Sequence, residues 1–162
     1  MTYPINTAVT PEVEAFFDAP TNTISYLVKD PASPACAVVD SVLDLDYAAG
    51  RITMDSADRI IDRIRERELQ LDWIIETHVH ADHLSAAPYI QEALGGRIGV
   101  GARITEVQEV FGKVFNEGTA FQRDGSQFDA LFEDGDTYQV GEMTCFAIAT
   151  PGHTPALSLI HI

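Results

Sequence analysis

Four of the five histidines in the chain occur in two short segments. Residues 77–83 read Thr-His-Val-His-Ala-Asp-His, and residues 151–154 read Pro-Gly-His-Thr. Each segment follows an apolar stretch that is typical of a buried strand. Imidazole nitrogens and carboxylate oxygens are ligands that iron and zinc take in proteins. The two segments therefore predict a metal site if the fold brings them together.

The crowding of ionisable side chains in the first segment favours a bound metal over a purely structural role. On an extended loop, His78 and His80 can direct their rings at one ion, which helical residues at this spacing cannot. Asp82 and His83 add a carboxylate and a third imidazole. Bringing these groups together costs desolvation free energy unless a bound group pairs with them, and a metal is the natural partner.

Two other polar residues near strand ends have simpler interpretations. Asp40 closes an apolar strand, where a turn-forming aspartate and an acceptor that orients a ligand histidine are about equally expected. His161 stands alone, and a single histidine at a strand end is usually a hydrogen-bonding turn residue. We therefore leave both roles open for Asp40 and predict no ligand role for His161.

The elements that must position these residues follow from the hydrophobic periodicity. Strands are predicted at residues 13–17, 23–29 and 35–40, and they form an antiparallel meander. From Asp55 the apolar residues recur at helical spacing for about four turns. The later elements are a strand at 73–75, a helix at 85–94 capped by Ser85, a strand at 97–100, a helix holding Ile104, Val107 and Phe111, and a hairpin of residues 137–140 and 143–150. The alternation of strands and helices predicts parallel pairing.

Parallel pairing has a consequence for the histidines. Ligands collect at the carboxyl ends of the strands in an α/β sheet. Both histidine-bearing loops are therefore expected to leave the same edge of one parallel-type sheet, where His78, His80 and His153 converge on one ion.

The composition narrows the class of protein. A chain of 162 residues with 46% hydrophobic residues suits one domain. Its formal charge of −15 opposes binding to nucleic acids or to anionic membranes, and no apolar stretch is long enough for a transmembrane or secretory segment. Cys36 and Cys145 form no CxxC motif, which favours a reducing cytoplasm.

The motif HxHxDH at residues 78–83, together with Asp40 and the later His153, resembles the metallo-β-lactamase fold superfamily. The resemblance implies an α/β fold: the N-terminal βα half of a four-layer αββα arrangement, with a mixed sheet and flanking helices. It also implies that His78, His80 and His153 hold a first metal ion. Asp82 and His83 match the ligands of a second ion.

The longer segment 76–87 resembles bacterial persulfide dioxygenases, which are related to mitochondrial sulfur dioxygenases. This resemblance implies one iron(II) ion held by His78, His153 and an aspartate, a thiol substrate such as glutathione persulfide that O₂ oxidises to sulfite, and a homodimer. His78, His153 and Asp82 are the predicted catalytic positions. Two alternatives stay open: a binuclear zinc(II) hydrolase similar to glyoxalase II or the lactonases, and a metal-binding fragment without activity.

The resemblance ends before the family pattern is complete. The family continues with a bridging aspartate and a final histidine, and neither position occurs here. Residues 1–156 are therefore expected to be a truncated domain that is catalytically inactive, with strand residues such as Ile75 and Phe146 incompletely buried. Residues 157–162 match the translation of a transposon end used in sequencing libraries, so we expect a non-native tail.

Overall fold

The computed structural model describes residues 8–118 and 120–162. These residues form three β-sheets and three helices. Residues 1–7 of the predicted domain 1–156 lie outside the described residues. The first half contains strands β1 (Glu12–Asp18), β2 (Thr23–Lys29), β3 (Ala35–Val39), β4 (Val42–Asp46) and β5 (Arg51–Thr53), helix α1 (Asp55–Glu66) and strand β6 (Gln70–Glu76). The second half contains β7 (Leu84–Ser85), α2 (Ala87–Leu94), β8 (Arg97–Gly101), α3 (Ile104–Val114), β9 (Ala130–Phe132), β10 (Thr137–Val140), β11 (Met143–Ala149) and β12 (Ser158–His161).

The largest sheet is mixed and has the strand order β1-β2-β3-β6-β8-β9. Strands β1, β2 and β3 pair antiparallel, which confirms the predicted meander. Strands β3, β6, β8 and β9 pair parallel, as the alternation of strands and helices predicts. The carboxyl ends of β3 and β6 consequently lie side by side, and Asp40 follows the first while residues 77–83 follow the second.

Successive residues of β6 point into two different hydrophobic cores, one on each face of the sheet. Ile74 packs with Ile60, Ile64 and Ile90, which come from α1 and α2. The next residue, Ile75, points to the opposite face of the sheet, because successive strand side chains alternate. The second half of β6 is therefore buried on both faces, which explains the apolar run Trp73–Ile75.

The opposite face is covered by a second sheet of order β10-β11-β12. Trp73 and Ile75 of β6 pack there against Tyr138 and Met143, and the indole Nε1 of Trp73 donates to the carbonyl oxygen of Gln139 at 2.9 Å. The expectation that Ile75 is incompletely buried is therefore wrong, since it is only 4% exposed. Strands β10–β12 supply this layer; the periodicity predicts the hairpin of β10 and β11 but not its packing on this face.

A buried carboxylate links the hairpin turns of the two main sheets. Asp30 follows β2 and accepts hydrogen bonds from the Ala32 amide, the Ser33 hydroxyl and the Glu142 amide at 3.0, 2.6 and 2.8 Å. Beside it, Gly141 has a φ of 57°, and a Cβ there would collide with Asp30 and Ser33. The turn between β10 and β11 therefore requires glycine.

The start of α2 differs from the prediction. The helix begins at Ala87 rather than Ser85, and its N-cap is Ala86. Ser85 pairs with Val42 in a small sheet of order β5-β4-β7, and its hydroxyl donates to Glu76. These contacts hold Ser85 in a strand, although its oxygen still accepts a hydrogen bond from the Ala87 amide at 3.0 Å.

The last residues of the chain pair with the second sheet. Strand β12 lies antiparallel to β11, with Phe146 opposite His161. This pairing does not bear on the origin of residues 157–162, and the non-native tail stays a prediction. Among the described helices, none combines the length and the apolar character needed to cross a membrane.

Candidate metal centre

Asp40 joins the ends of the neighbouring strands β3 and β6. Its Oδ1 accepts a hydrogen bond from the Thr77 amide at 2.8 Å, and its Oδ2 accepts one from the Thr77 hydroxyl at 2.7 Å. Asp40 itself has a φ of 51°, a left-handed conformation that aspartate tolerates better than most residues. Its carboxylate therefore fixes the first residue of the histidine-bearing loop.

Asp40 also holds His80, so it serves both as a turn residue and as an acceptor for a histidine. The Nε2 atom of His80 lies 3.0 Å from Asp40 Oδ1 and 3.1 Å from Glu76 Oε2. Burial lowers the pKa of His80, but the neighbouring carboxylates of Asp40 and Glu76 outweigh burial and raise it to about 9. With Nε2 engaged, Nδ1 is the ring nitrogen of His80 that is left for a metal.

His78 lies beside His80 with its ring fixed in the same manner. Its Nδ1 is 2.9 Å from the Thr77 hydroxyl, which leaves Nε2 for a metal. The ring centroids of His78 and His80 are 4.1 Å apart. Burial and the neighbouring His80 lower the pKa of His78, and the neutral imidazole thus favoured is the form that binds metal ions.

His153 reaches the same place from the second sheet. It follows β11, and its ring centroid lies 5.0 Å from that of His78, with the ring planes at 90°. Ser158 contributes to this approach, because its amide donates to the Thr77 carbonyl at 2.9 Å. The rings of the three histidines therefore lie close together, while their convergence on one ion stays a prediction. The expected reason is wrong, because the two loops leave two different sheets and not one parallel sheet.

Asp82 and His83 form the other side of the cluster. The side chain of His83 is fully buried, and its ring centroid lies 4.1 Å from that of His80. Its Nδ1 is 3.3 Å from the Thr23 hydroxyl and 3.4 Å from Asp82 Oδ1. Its Nε2 is buried without a hydrogen-bond partner in the protein. A buried ring nitrogen in this state is unfavourable unless a further group binds it.

The donor set fits a metal ion. The potential ligand atoms of His80, Asp82 and His83 all lie within 4.8 Å of one another, and those of Asp40, Glu76 and His80 form a second such group. The predicted trio of His78, His80 and His153 is brought together by ring contacts and is not one of these two groups. The orphaned Nε2 of His83 is the observation that most favours an ion here.

Two residues that contact the cluster, Thr23 and Glu76, are not predicted to do so from the sequence. Thr23, at the start of β2, contacts Asp82 and His83 from 59 and 60 residues away. No local pattern marks it. Glu76 does leave a signal, since a glutamate at the end of an otherwise apolar strand requires a partner when it is buried. It is 5% exposed, and burial raises the pKa of its carboxyl group.

Two cavities lie on either side of the loop that carries the cluster. One has a volume of about 420 Å³, and its lining includes Asp82, His83, Tyr47 and Arg51. The other has a volume of about 350 Å³ and is largely apolar. Its lining combines His78, His80 and His83 with Val79, Leu84, Pro88, Ile98 and Phe128. Both volumes suit a small molecule.

Residues 19–162 match the family model of the metallo-beta-lactamase superfamily, and the chain belongs to this superfamily. The match confirms the predicted superfamily, and the mixed sheet with flanking helices confirms the predicted fold class. A solved structure, that of ETHE1 from Myxococcus xanthus, shares the fold with a TM-score of 0.66 at 23% identity, over 92% of this chain and 53% of that one.

Curated relatives carry hydrolase and dioxygenase names. The chain is 55% identical to a probable metallo-hydrolase of Burkholderia pseudomallei, over 89% of the chain and 49% of the relative. It is 40% identical to glyoxylase B2 of Dictyostelium discoideum, over 90% of the chain and 50% of the relative. It is 28% identical to the human mitochondrial persulfide dioxygenase ETHE1, over 86% of the chain and 43% of the relative. The chain thus spans about half the length of these relatives.

Proposed function

We propose that this chain is the metal-binding part of a metal-dependent enzyme of the persulfide dioxygenase type, which takes a small thiol substrate such as glutathione persulfide, and that the chain alone is inactive. The observation that carries this proposal is the arrangement of His78 and His80, each with one ring nitrogen held by the protein and the other left for an ion. Likeness in sequence to the human persulfide dioxygenase supports the choice of reaction.

In this proposal, His78 and His153 hold one iron(II) ion, as the resemblance implies, and His80 beside them is a further ligand, with open positions left for substrate and O₂. When bound, the iron supplies the redox chemistry that joins O₂ to the persulfide sulfur. Asp40 keeps the His80 ring in place, and the Thr77 hydroxyl contacts the Nδ1 of His78. Asp82 stands at the rim with its side chain 58% exposed, where it can accept a hydrogen bond from the substrate.

The cavities suggest how the substrate is received. Arg51 is the basic residue among the described residues that line the larger cavity, and its nearest carboxylate contact is Asp46 at 3.7 Å. Its guanidinium group offers paired donors for a substrate carboxylate, of which glutathione has two. The other cavity, which is largely apolar, borders the rings of His78 and His80. Because the cavity that contains Arg51 is also lined by Asp18, Asp44, Asp46, Asp55 and Asp82, a substrate carboxylate would have to lie directly against the guanidinium group.

A binuclear zinc hydrolase is the second candidate. It is favoured by the unpartnered Nε2 of His83, which lies in a group of donors with Asp82 and His80 that could hold a second ion. The names of the Burkholderia and Dictyostelium relatives agree with this chemistry. Two zinc ions would lower the pKa of a bridging water and polarise a thioester carbonyl.

Metal content and reaction type distinguish the two candidates. The chain and the longest in-frame product of its gene are purified without oxygen, loaded in separate samples with iron(II) or zinc(II), and analysed for bound metal. We expect about one iron per chain. With glutathione persulfide, we expect the iron form of the gene product to consume O₂ and produce sulfite. Two zinc ions with thioester hydrolysis and no O₂ uptake would overturn the dioxygenase proposal in favour of the hydrolase.

A further inference from the structure

Glu76 is a buried carboxylate that contacts the middle of the loop that carries the metal cluster and the residue that follows this loop. It is the last residue of β6, and its side chain is 6% exposed. Its Oε1 accepts a hydrogen bond from the Ser85 hydroxyl at 2.6 Å, just after the loop. Its Oε2 lies 3.1 Å from the Nε2 of His80, within the loop. A single side chain thus spans the segment between His80 and Ser85.

The contact between Glu76 and His80 is mainly electrostatic and is not a second aligned hydrogen bond. The Nε2 atom carries one proton, and Asp40 Oδ1 accepts it at 3.0 Å. Glu76 Oε2 has no aligned donor in the protein, so it acts on the ring through its charge and its position. Burial raises the pKa of Glu76, and the contacts with His80 and Ser85 oppose that rise by favouring the carboxylate form. In that form, its charge acts more strongly in this buried setting than it would in water.

A second carboxylate at Nε2 affects the opposite side of the ring. Negative charge beside the N–H of an imidazole makes the other nitrogen a stronger donor to a metal, as carboxylates paired with metal-binding histidines do. Asp40 already performs this role from the end of β3. Glu76 adds to it from β6, the strand that leads directly into the loop.

We propose that Glu76 is a positioning residue that acts with Asp40 on the Nε2 side of His80 and strengthens Nδ1 as a metal ligand. This inference rests on the metal centre of the proposed function. The hydrogen bond between Glu76 and Ser85 is a separate contribution, because it connects the loop to the start of α2. The two contributions reside on different carboxylate oxygens, so two substitutions can separate them.

The first variant is Glu76→Gln, which keeps the shape of the side chain and an acceptor for Ser85 but removes the charge beside His80. The matched control is Ser85→Ala, which removes the hydroxyl contact and keeps the carboxylate beside His80. Both variants are compared with the wild-type chain for thermal stability, so that any loss of folding is measured separately from metal binding.

The spectroscopic arm needs no metal. In a ¹H–¹⁵N spectrum of the metal-free chain, the Nε2–H proton of His80 is expected to resonate far downfield, because it faces two carboxylates. We expect Glu76→Gln to move this signal upfield and Ser85→Ala to leave it in place. Equal shifts in both variants would show that Glu76 acts only through the fold of the loop, and no shift in either would show that it does not act on the ring.

The binding arm uses zinc(II) alone as the probe, in a competitive titration at pH 8. We expect Glu76→Gln to lower the zinc affinity about tenfold and Ser85→Ala to change it by less than about threefold. Equal losses in the two variants, or wild-type affinity in Glu76→Gln, would overturn the inference while leaving the metal centre intact. A wild-type chain that binds no zinc would instead overturn the metal centre itself.

Discussion

The Nε2 atom of His80 lies 3.0 Å from Oδ1 of Asp40, a residue forty positions earlier at the end of the neighbouring strand. The same carboxylate accepts both hydrogen bonds from Thr77. Parallel pairing of β3 with β6 creates this relationship, because it places the residue after one strand beside the loop after the other. The fold thus orients a histidine ring before any ion binds.

Replacing Asp40 should weaken metal binding more than it weakens the fold. Asparagine tolerates the φ of 51° at this position but lacks the charge. We expect Asp40→Asn to reduce zinc affinity by about 10- to 100-fold, measured by competitive titration. Asp129→Asn is the control, since Asp129 also accepts a buried amide, that of Ile98 at 2.7 Å, away from the histidines. Equal zinc affinity in the two variants would contradict the role of Asp40.

Asp30 should make the stability of the chain depend on pH in the acidic range. Burial raises the pKa of its carboxyl group, but hydrogen bonds from Ser33, Glu142 and Ala32 outweigh burial and lower it. A pKa that is lower in the folded state contributes stability above the unfolded value of about 3.9 and loses it as pH falls through the folded value.

We therefore expect Asp30→Asn to lower the free energy of unfolding by about 2 kcal/mol at pH 7, measured by urea denaturation. The difference between wild type and variant should shrink below about pH 4, as the wild-type carboxylate takes up a proton. A difference that stays constant from pH 7 to pH 3 would show that the charge of Asp30 contributes nothing.

Both cysteine thiols should be unreactive in the folded chain. Burial raises the pKa of Cys36 to about 12 and that of Cys145 to about 11. At pH 8 the thiolate fraction of each is then about one in a thousand or less. We expect a thiol-specific disulfide reagent to label neither cysteine in the native chain and both in guanidinium chloride. Rapid labelling of the native chain would mean that one of the two cores is open.

Features that depend on neighbouring residues could be predicted from the sequence, and features that depend on contacts between distant segments could not. The histidine segment, the antiparallel meander and the helix at Asp55 could be predicted because each depends on residue types within a few positions. The contact of Thr23 with His83 and the second sheet that carries His153 could not, because both depend on pairing between distant segments. Ser85 is not the N-cap residue because it pairs with Val42 in a strand and donates to Glu76, although its oxygen accepts a hydrogen bond from the Ala87 amide.

The most direct test of the metal centre is the metal content of histidine variants. The chain is incubated with zinc(II), freed of unbound metal by gel filtration and analysed by mass spectrometry. We predict that wild type and His161→Ala, which alters a histidine in β12, retain at least about one zinc per chain. The His78→Ala/His80→Ala double variant, which also removes the histidine common to both donor groups, should retain less than about a tenth of that, with an unchanged far-ultraviolet circular dichroism spectrum. Equal zinc in the double variant and the wild type would contradict the account.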